Sequence, residues 1–201
     1  MKDVGIDFKI LEEDEHLPVG YKMSSGHIIF TVNMNSTCKA IWVKDGHHTP
    51  NPTAPNYAGV VSRESIHILL THTAVHIVST KASNIRNAYL QAPTSNKNYI
   101  ICGPEFGIEN EGKRAVIVRA LYGGKSSGSD FWHHLRSCMD HLSFESSRAD
   151  PDVWMRRSTR GEGENPYYEY FILYVDDCLV ISDRVEYVIR SEIGKYLRLK
   201  E

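Results

Sequence analysis

The sequence predicts an α+β fold with a mixed or antiparallel sheet. Three observations carry this: short β-branched and aromatic runs occur in adjacent pairs, apolar residues recur at helical spacing between them, and the two patterns alternate along the chain. The chain has 201 residues, 41% hydrophobic and 24% charged, the balance of a globular protein rather than a disordered one. No apolar run approaches the roughly 18 residues that span a bilayer, and the opening MKDVGIDFKILEEDEH lacks a signal-peptide pattern. A soluble intracellular protein, cytoplasmic or nuclear and without a membrane partner, is expected. The formal net charge of -2 gives no global basic surplus, so contact with nucleic acid would have to come from local basic groups or from cations bridging carboxylates to phosphate. Cys38, Cys102, Cys138 and Cys178 form no CxxC pair, which excludes a zinc ribbon and points to reduced, mostly buried thiols.

Residues 1–19 carry the acidic run Glu12–Glu15 and end near Pro18, and read as an exposed lead-in. His27–Val32 and Lys39–Val43 are β-branched runs separated by Asn and Ser, the pattern of a hairpin. The segment HHTPNPTAPNY holds three prolines in eleven residues and must be a loop. Ser62 is placed to cap a helix whose apolar positions are Ile66, Leu69, Leu70, Ala74 and Ile77. Pro93 terminates the run KASNIRNAYLQAP. Asn98–Cys102 and Ala115–Leu121 read as strands joined through GIENEGK. Ser127 with Asp130 has capping-box spacing and opens a helix with Phe131, Leu135, Cys138, Met139 and Leu142 on one face. PDVWMRR, YYEYFILYV and CLVIS are strands, the first two joined through RGEGENP. Asp183 with Glu186 is expected to cap a final helix bearing Val185, Val188, Ile189, Ile193, Tyr196 and Leu197.

Asp176 and Asp177 stand between the apolar runs FILYV and CLVIS. Alternation along a strand would point one of them toward a core or cleft, where an unpaired charge is costly. A tight hairpin turn explains the pair, since Asp favours turns. On the dipeptide alone the turn is the commoner explanation; the functional one is a Mg²⁺ site, where clustered oxygen ligands neutralise the ion and the ion offsets their repulsion.

Tyr174-Val175-Asp176-Asp177 resembles the signature of reverse transcriptases. Other segments are similar, in order and spacing, to copia-type retrotransposon reverse transcriptases. KAIWVKDGH at 39–47 resembles a fingers strand of the form KARLVAKGH. NIRNAYLQAP at 84–93 resembles the first palm motif, D-I-x-N-A-Y-L-x-A-P. CGPEFG at 102–107 and ADPDVWMR at 149–156 match flanking segments, and RALYGGKSSG at 119–128 resembles the LYGLK motif.

The resemblance implies a fingers portion at 20–74 and a palm at 75–201, with an antiparallel or mixed palm sheet backed by helices. The family continues into thumb and RNase H regions, which the 201 residues are expected to lack. It further implies RNA-directed DNA polymerisation on a primer–template with dNTPs, using two Mg²⁺ ions. Asp176 and Asp177 carry over as metal ligands. The third acid of the family falls at position 84, which is Asn84. An amide brings no negative charge to a hard cation, and a loss of about 4 kcal/mol in transition-state stabilisation would slow the reaction about a thousandfold. Catalysis is therefore expected to be severely impaired. Lys39, Tyr89 and Lys125 carry over as nucleotide-binding positions. Ile41 replaces an arginine of the fingers motif, with Lys44 a candidate to compensate, and Gly124 replaces the leucine of LYGLK. A non-catalytic domain that binds nucleic acid or protein, or a translated relic, are the alternatives.

Weaker signals have plainer readings. His134, Cys138 and His141 share a helix face at a spacing that can hold zinc, but Cys138 belongs to the apolar stripe. His72 and His76 are spaced i, i+4 without a partner motif. Arg156, Arg157 and Arg160 form a basic cluster able to meet a nucleic-acid backbone, or a solvated loop.

Overall fold

The computed structural model describes residues 7–32, 36–49, 56, 58–160 and 166–200. Its elements are β1 (Phe8–Ile10), β2 (Lys22–Met23), β3 (Gly26–Val32), β4 (Cys38–Lys44), α1 (Arg63–His76), β5 (Thr80–Ile85), α2 (Ala88–Gln91), β6 (Asn98–Ile101), β7 (Arg114–Ile117), α3 (Ser127–His141), β8 (Glu145–Ser146), β9 (Val153–Thr159), β10 (Pro166–Tyr174), β11 (Asp177–Ile181), α4 (Val185–Tyr187) and β12 (Leu199–Lys200). Mixed helix and sheet is thus what the alternating patterns produce. The chain divides into two compact units, Met1–Tyr57 with Tyr89–His133, and Ala58–Ala88 with His134–Glu201. Among the described residues, no helix is long and apolar enough to cross a membrane.

In the first unit a four-stranded sheet has the order β1-β7-β6-β2, antiparallel except for the parallel β2–β6 pair. The expected hairpin is the antiparallel ribbon β3–β4, with Ile29 opposite Ile41. The core gathers Phe8, Trp42, Ile100, Phe106, Ile117 and Leu121. Phe8 meets Trp42 and Phe106 edge-on, with ring centroids 5.3 and 5.1 Å apart, the arrangement aromatic quadrupoles favour.

This corrects the reading of residues 1–19 as an exposed lead-in. Phe8 and Leu11 are buried and β1 pairs with β7; a strand of three residues is too short to show periodicity in sequence. The acidic run itself stays at the surface, where Glu15 pairs with Lys9 and Glu12 with Lys113. Most of the proline loop, residues 50–55 and 57, lies outside the described residues, as do 161–165 of the loop before β10.

In the second unit six strands form an antiparallel sheet in the order β12-β5-β11-β10-β9-β8. Ser62 caps α1 as expected, its hydroxyl oxygen accepting from the Ser65 N–H at 3.1 Å. The buried carboxylate of Asp150 accepts from the Ser62 N–H at 2.9 Å and the Ser65 hydroxyl at 2.7 Å. The core joins Val61, Leu69, Val78, Val153, Ile172 and Ile181. Ile77 does not join it. It is the left-handed C-cap of α1, with φ 53°, and is exposed.

Two expected caps are displaced. At α3 the hydroxyl that meets Asp130 belongs to Ser126, at 3.0 Å, whereas Ser127 is buried and donates to the Leu121 carbonyl at 2.5 Å. At the last helix Asp183 and Glu186 form no cap: Asp183 pairs with Arg160, and Glu186 with Lys81 and Arg190. The helical run continues from α4 through a π turn, Val188–Glu192, into a 3₁₀ turn, Ile193–Lys195, burying Val188, Ile189, Ile193 and Leu197. Tyr196 is exposed.

Candidate active site

Strands β10 and β11 close into a hairpin at Tyr174 and Asp177, leaving Val175 and Asp176 as the two central residues. Val175 has φ 59° and Asp176 does not share that positive value. A positive φ at the first central position alone is the pattern of a II′-type turn, where glycine is usual. A β-branched residue there is strained by about 1–3 kcal/mol. The turn reading of the Asp pair is what the structure shows, and the two acids also face a common partner.

That partner is Asn84. Strand β5 lies beside β11 in register Asp177↔Asn84, and the Ile85 N–H donates to the Asp176 carbonyl at 2.6 Å, fixing strand to turn. Asn84 Nδ2 donates to Asp176 Oδ2 at 3.1 Å and to Asp177 Oδ1 at 2.7 Å. Carboxylates only accept, so the amide must present its nitrogen to them, and both of its N–H groups are consumed. Its oxygen is turned away, buried and without a hydrogen-bond partner. Two bonds to charged acceptors, on the order of 1.5 kcal/mol each given the exposure of Asp177, outweigh or match the roughly 1–3 kcal/mol cost of that orphaned oxygen.

Where an ion would sit between the carboxylates, the Asn84 N–H groups point instead. Among the described residues no cluster of three or more His, Cys, Asp or Glu side chains could hold a metal. Lys200 of β12 stands opposite Asn84 in the ladder, and burial pushes the adjacent Cys178 thiol up to about 12, leaving no thiolate. As arranged, these residues do not fit a resident cation.

The other candidate positions belong to the first unit. Lys39 is exposed on β4. Tyr89 packs against Tyr122 and Phe131, with centroids 5.2 and 6.1 Å away. Lys125 Nζ donates to the Thr49 carbonyl at 2.7 Å. Lys44 does not compensate for Ile41. It is buried, donates to Asn98 Oδ1 at 2.8 Å, and its pKa is lowered by burial against the opposing charge of Asp130. Gly124 is closely packed: an added Cβ would strike Ser127 Oγ. The neighbouring Gly123, at φ 80°, leaves a Cβ no room beside the Lys44 carbonyl.

The weaker signals resolve into structure. Cys138 Sγ lies 4.0 Å from His134 Nε2, and His141 Nδ1 contacts the Ser137 carbonyl at 2.6 Å, so the three side chains form no zinc cluster. His72 and His76 stack, with ring centroids 4.4 Å apart. Burial, and then the His76 charge, lower the His72 pKa. Of the three clustered arginines, Arg156 turns inward to Glu169 and Glu192, Arg160 pairs with Asp183, and Arg157 is exposed. Glu169 went unnoticed in sequence. It is fully buried and accepts from Arg156 Nε at 2.7 Å, the Ser182 hydroxyl at 2.6 Å and Arg184 Nε at 3.0 Å. Its only sequence signal is an acid within an apolar strand.

A comparison with curated proteins finds no match. A comparison with protein families matches residues 28–200 to the family described as Reverse transcriptase (RNA-dependent DNA polymerase). The matched stretch contains β5, the Asp176–Asp177 turn and the sheet that joins them, and on that evidence the chain belongs to the reverse transcriptase family.

Proposed function

We propose that this chain is the fingers-and-palm region of a copia-type retrotransposon reverse transcriptase whose RNA-directed nucleotidyl transfer is severely impaired. The observation that carries the reading is the bridging of Asp176 and Asp177 by the Asn84 amide. The family works with divalent cations held by carboxylates, and here the third carboxylate is replaced by a donor that occupies its partners. The ordered motifs, from KAIWVKDGH through NIRNAYLQAP to the Asp pair, support the copia-type assignment, with fingers at 20–74 and palm at 75–201. Both compact units draw on each of these linear segments.

In this reading the partners are a primer–template and dNTPs, with Lys39, Tyr89 and Lys125 on the nucleotide side. The exposure of Lys39 leaves it able to meet phosphate, and Tyr89 presents a ring packed on Tyr122. Primer extension on an RNA template with Mg²⁺ or Mn²⁺ tests the proposal. The unaltered chain should be slower than Asn84→Asp by about a thousandfold, the equivalent of about 4 kcal/mol, and Asp176→Ala in the Asn84→Asp background should abolish the gain. Robust synthesis by the unaltered chain would contradict the reading.

A further inference from the structure

We infer that the Asn84 amide is a built-in substitute for a cation, holding the Asp176–Asp177 turn in its closed geometry and uncoupling its folding from divalent metal. Three features lead to this. Both N–H groups of one amide are spent on the two carboxylates, at 3.1 and 2.7 Å, so the donor is saturated. The amide oxygen, the one side-chain atom of Asn84 that could ligate a cation, is buried without a partner. The turn also carries Val175 at φ 59°, a conformation its backbone does not favour unaided. The site is held by its surroundings, and the amide is the group that touches both acids.

In an all-carboxylate arrangement, mutual repulsion opposes closure of the turn, and a cation bound only to the folded state stabilises it by mass action. With Asn84 present, one of the three charges is gone, and its N–H groups offset part of the repulsion between the two remaining carboxylates by donating to both. A cation entering the site would have to break two hydrogen bonds and turn the amide over before gaining a neutral ligand. The resting site therefore gains no stability from metal. This goes beyond impaired transfer. It takes from the proposed function only the choice of aspartate as the diagnostic variant, and polymerase activity plays no part in its test.

The experiment is thermal unfolding of the full chain and two variants in EDTA and in millimolar MgCl₂ or MnCl₂ at matched ionic strength. The unaltered chain should keep its midpoint within about 1 °C across these conditions. Asn84→Asp should melt roughly 5 °C lower in EDTA and recover on addition of either cation. Asn84→Ala, which removes the donors without adding charge, keeps the test open if the aspartate variant does not fold. It too should melt lower in EDTA and recover in part with cation. A cation-dependent rise in the unaltered chain would overturn the inference, as would an Asn84→Ala midpoint equal to that of the unaltered chain in EDTA.

Discussion

Asn84 Nδ2 lies 2.7 Å from Asp177 Oδ1, and the two residues stand opposite one another in the β5–β11 ladder. An asparagine placed there does more than leave out a charge. Its amide turns donors toward the two acids and so binds both carboxylates directly. Two hydrogen bonds from one amide thus tie the turn to β5.

The second unit also depends on Glu169, a buried acid on β10 held between Arg156 and Arg184. Its removal strands Arg156, which is nearly buried and has Glu192 as its other acidic partner. Glu169→Ala should cost about 3–5 kcal/mol, read as a lower urea midpoint with an unchanged slope. A loss below about 1 kcal/mol would place the network among surface pairs.

Acid should destabilise the protein through the same unit. Burial pushes the Glu169 carboxyl up, but the hydrogen bonds from Arg184, Ser182 and Arg156 hold it below the usual range. Burial likewise opposes, and the Ser65 and Ser62 donors outweigh it, at Asp150. Both folded pKa values are depressed, so their contribution is complete above the unfolded carboxylate values near about 4 and is lost as pH falls through the folded ones. Urea titrations should therefore show stability dropping below about pH 4, with a shallower drop in Glu169→Gln. Stability that rises on acidification would refute this.

Val175→Gly should stabilise the chain. Glycine adopts φ 59° freely, so strain of about 1–3 kcal/mol is relieved against an unfolded-state entropy cost of about 0.5–1 kcal/mol. A net gain near 1 kcal/mol in equilibrium unfolding is expected. A loss would mean that the valine side chain contributes packing that its partial exposure does not suggest.

Much of this fold was legible because it depends on local periodicity. The β3–β4 ribbon, the Ser62 cap and the strands around the Asp pair follow from patterns spanning a few residues. Position 84 was singled out in sequence because flanking letters of a family motif located it. What its side chain does there was not legible, since the direction of an amide is set by partners 92 and 93 residues away. Distance in sequence hides the other corrections as well. Lys44 reads as a free cation until Asn98 is placed beside it, Arg156 reads as a surface group until Glu169 and Glu192 are, and Phe8 reads as part of a tail until β7 supplies its partner strand.

The most direct test of the amide bridge is the NMR signal of the Asn84 side-chain NH₂ group, assigned by its loss in Asn84→Asp. Both protons should be well dispersed, protected from solvent exchange and unmoved by millimolar Mg²⁺. A pair of rapidly exchanging resonances at unstructured positions, or a pair that shifts on addition of Mg²⁺, would contradict the account.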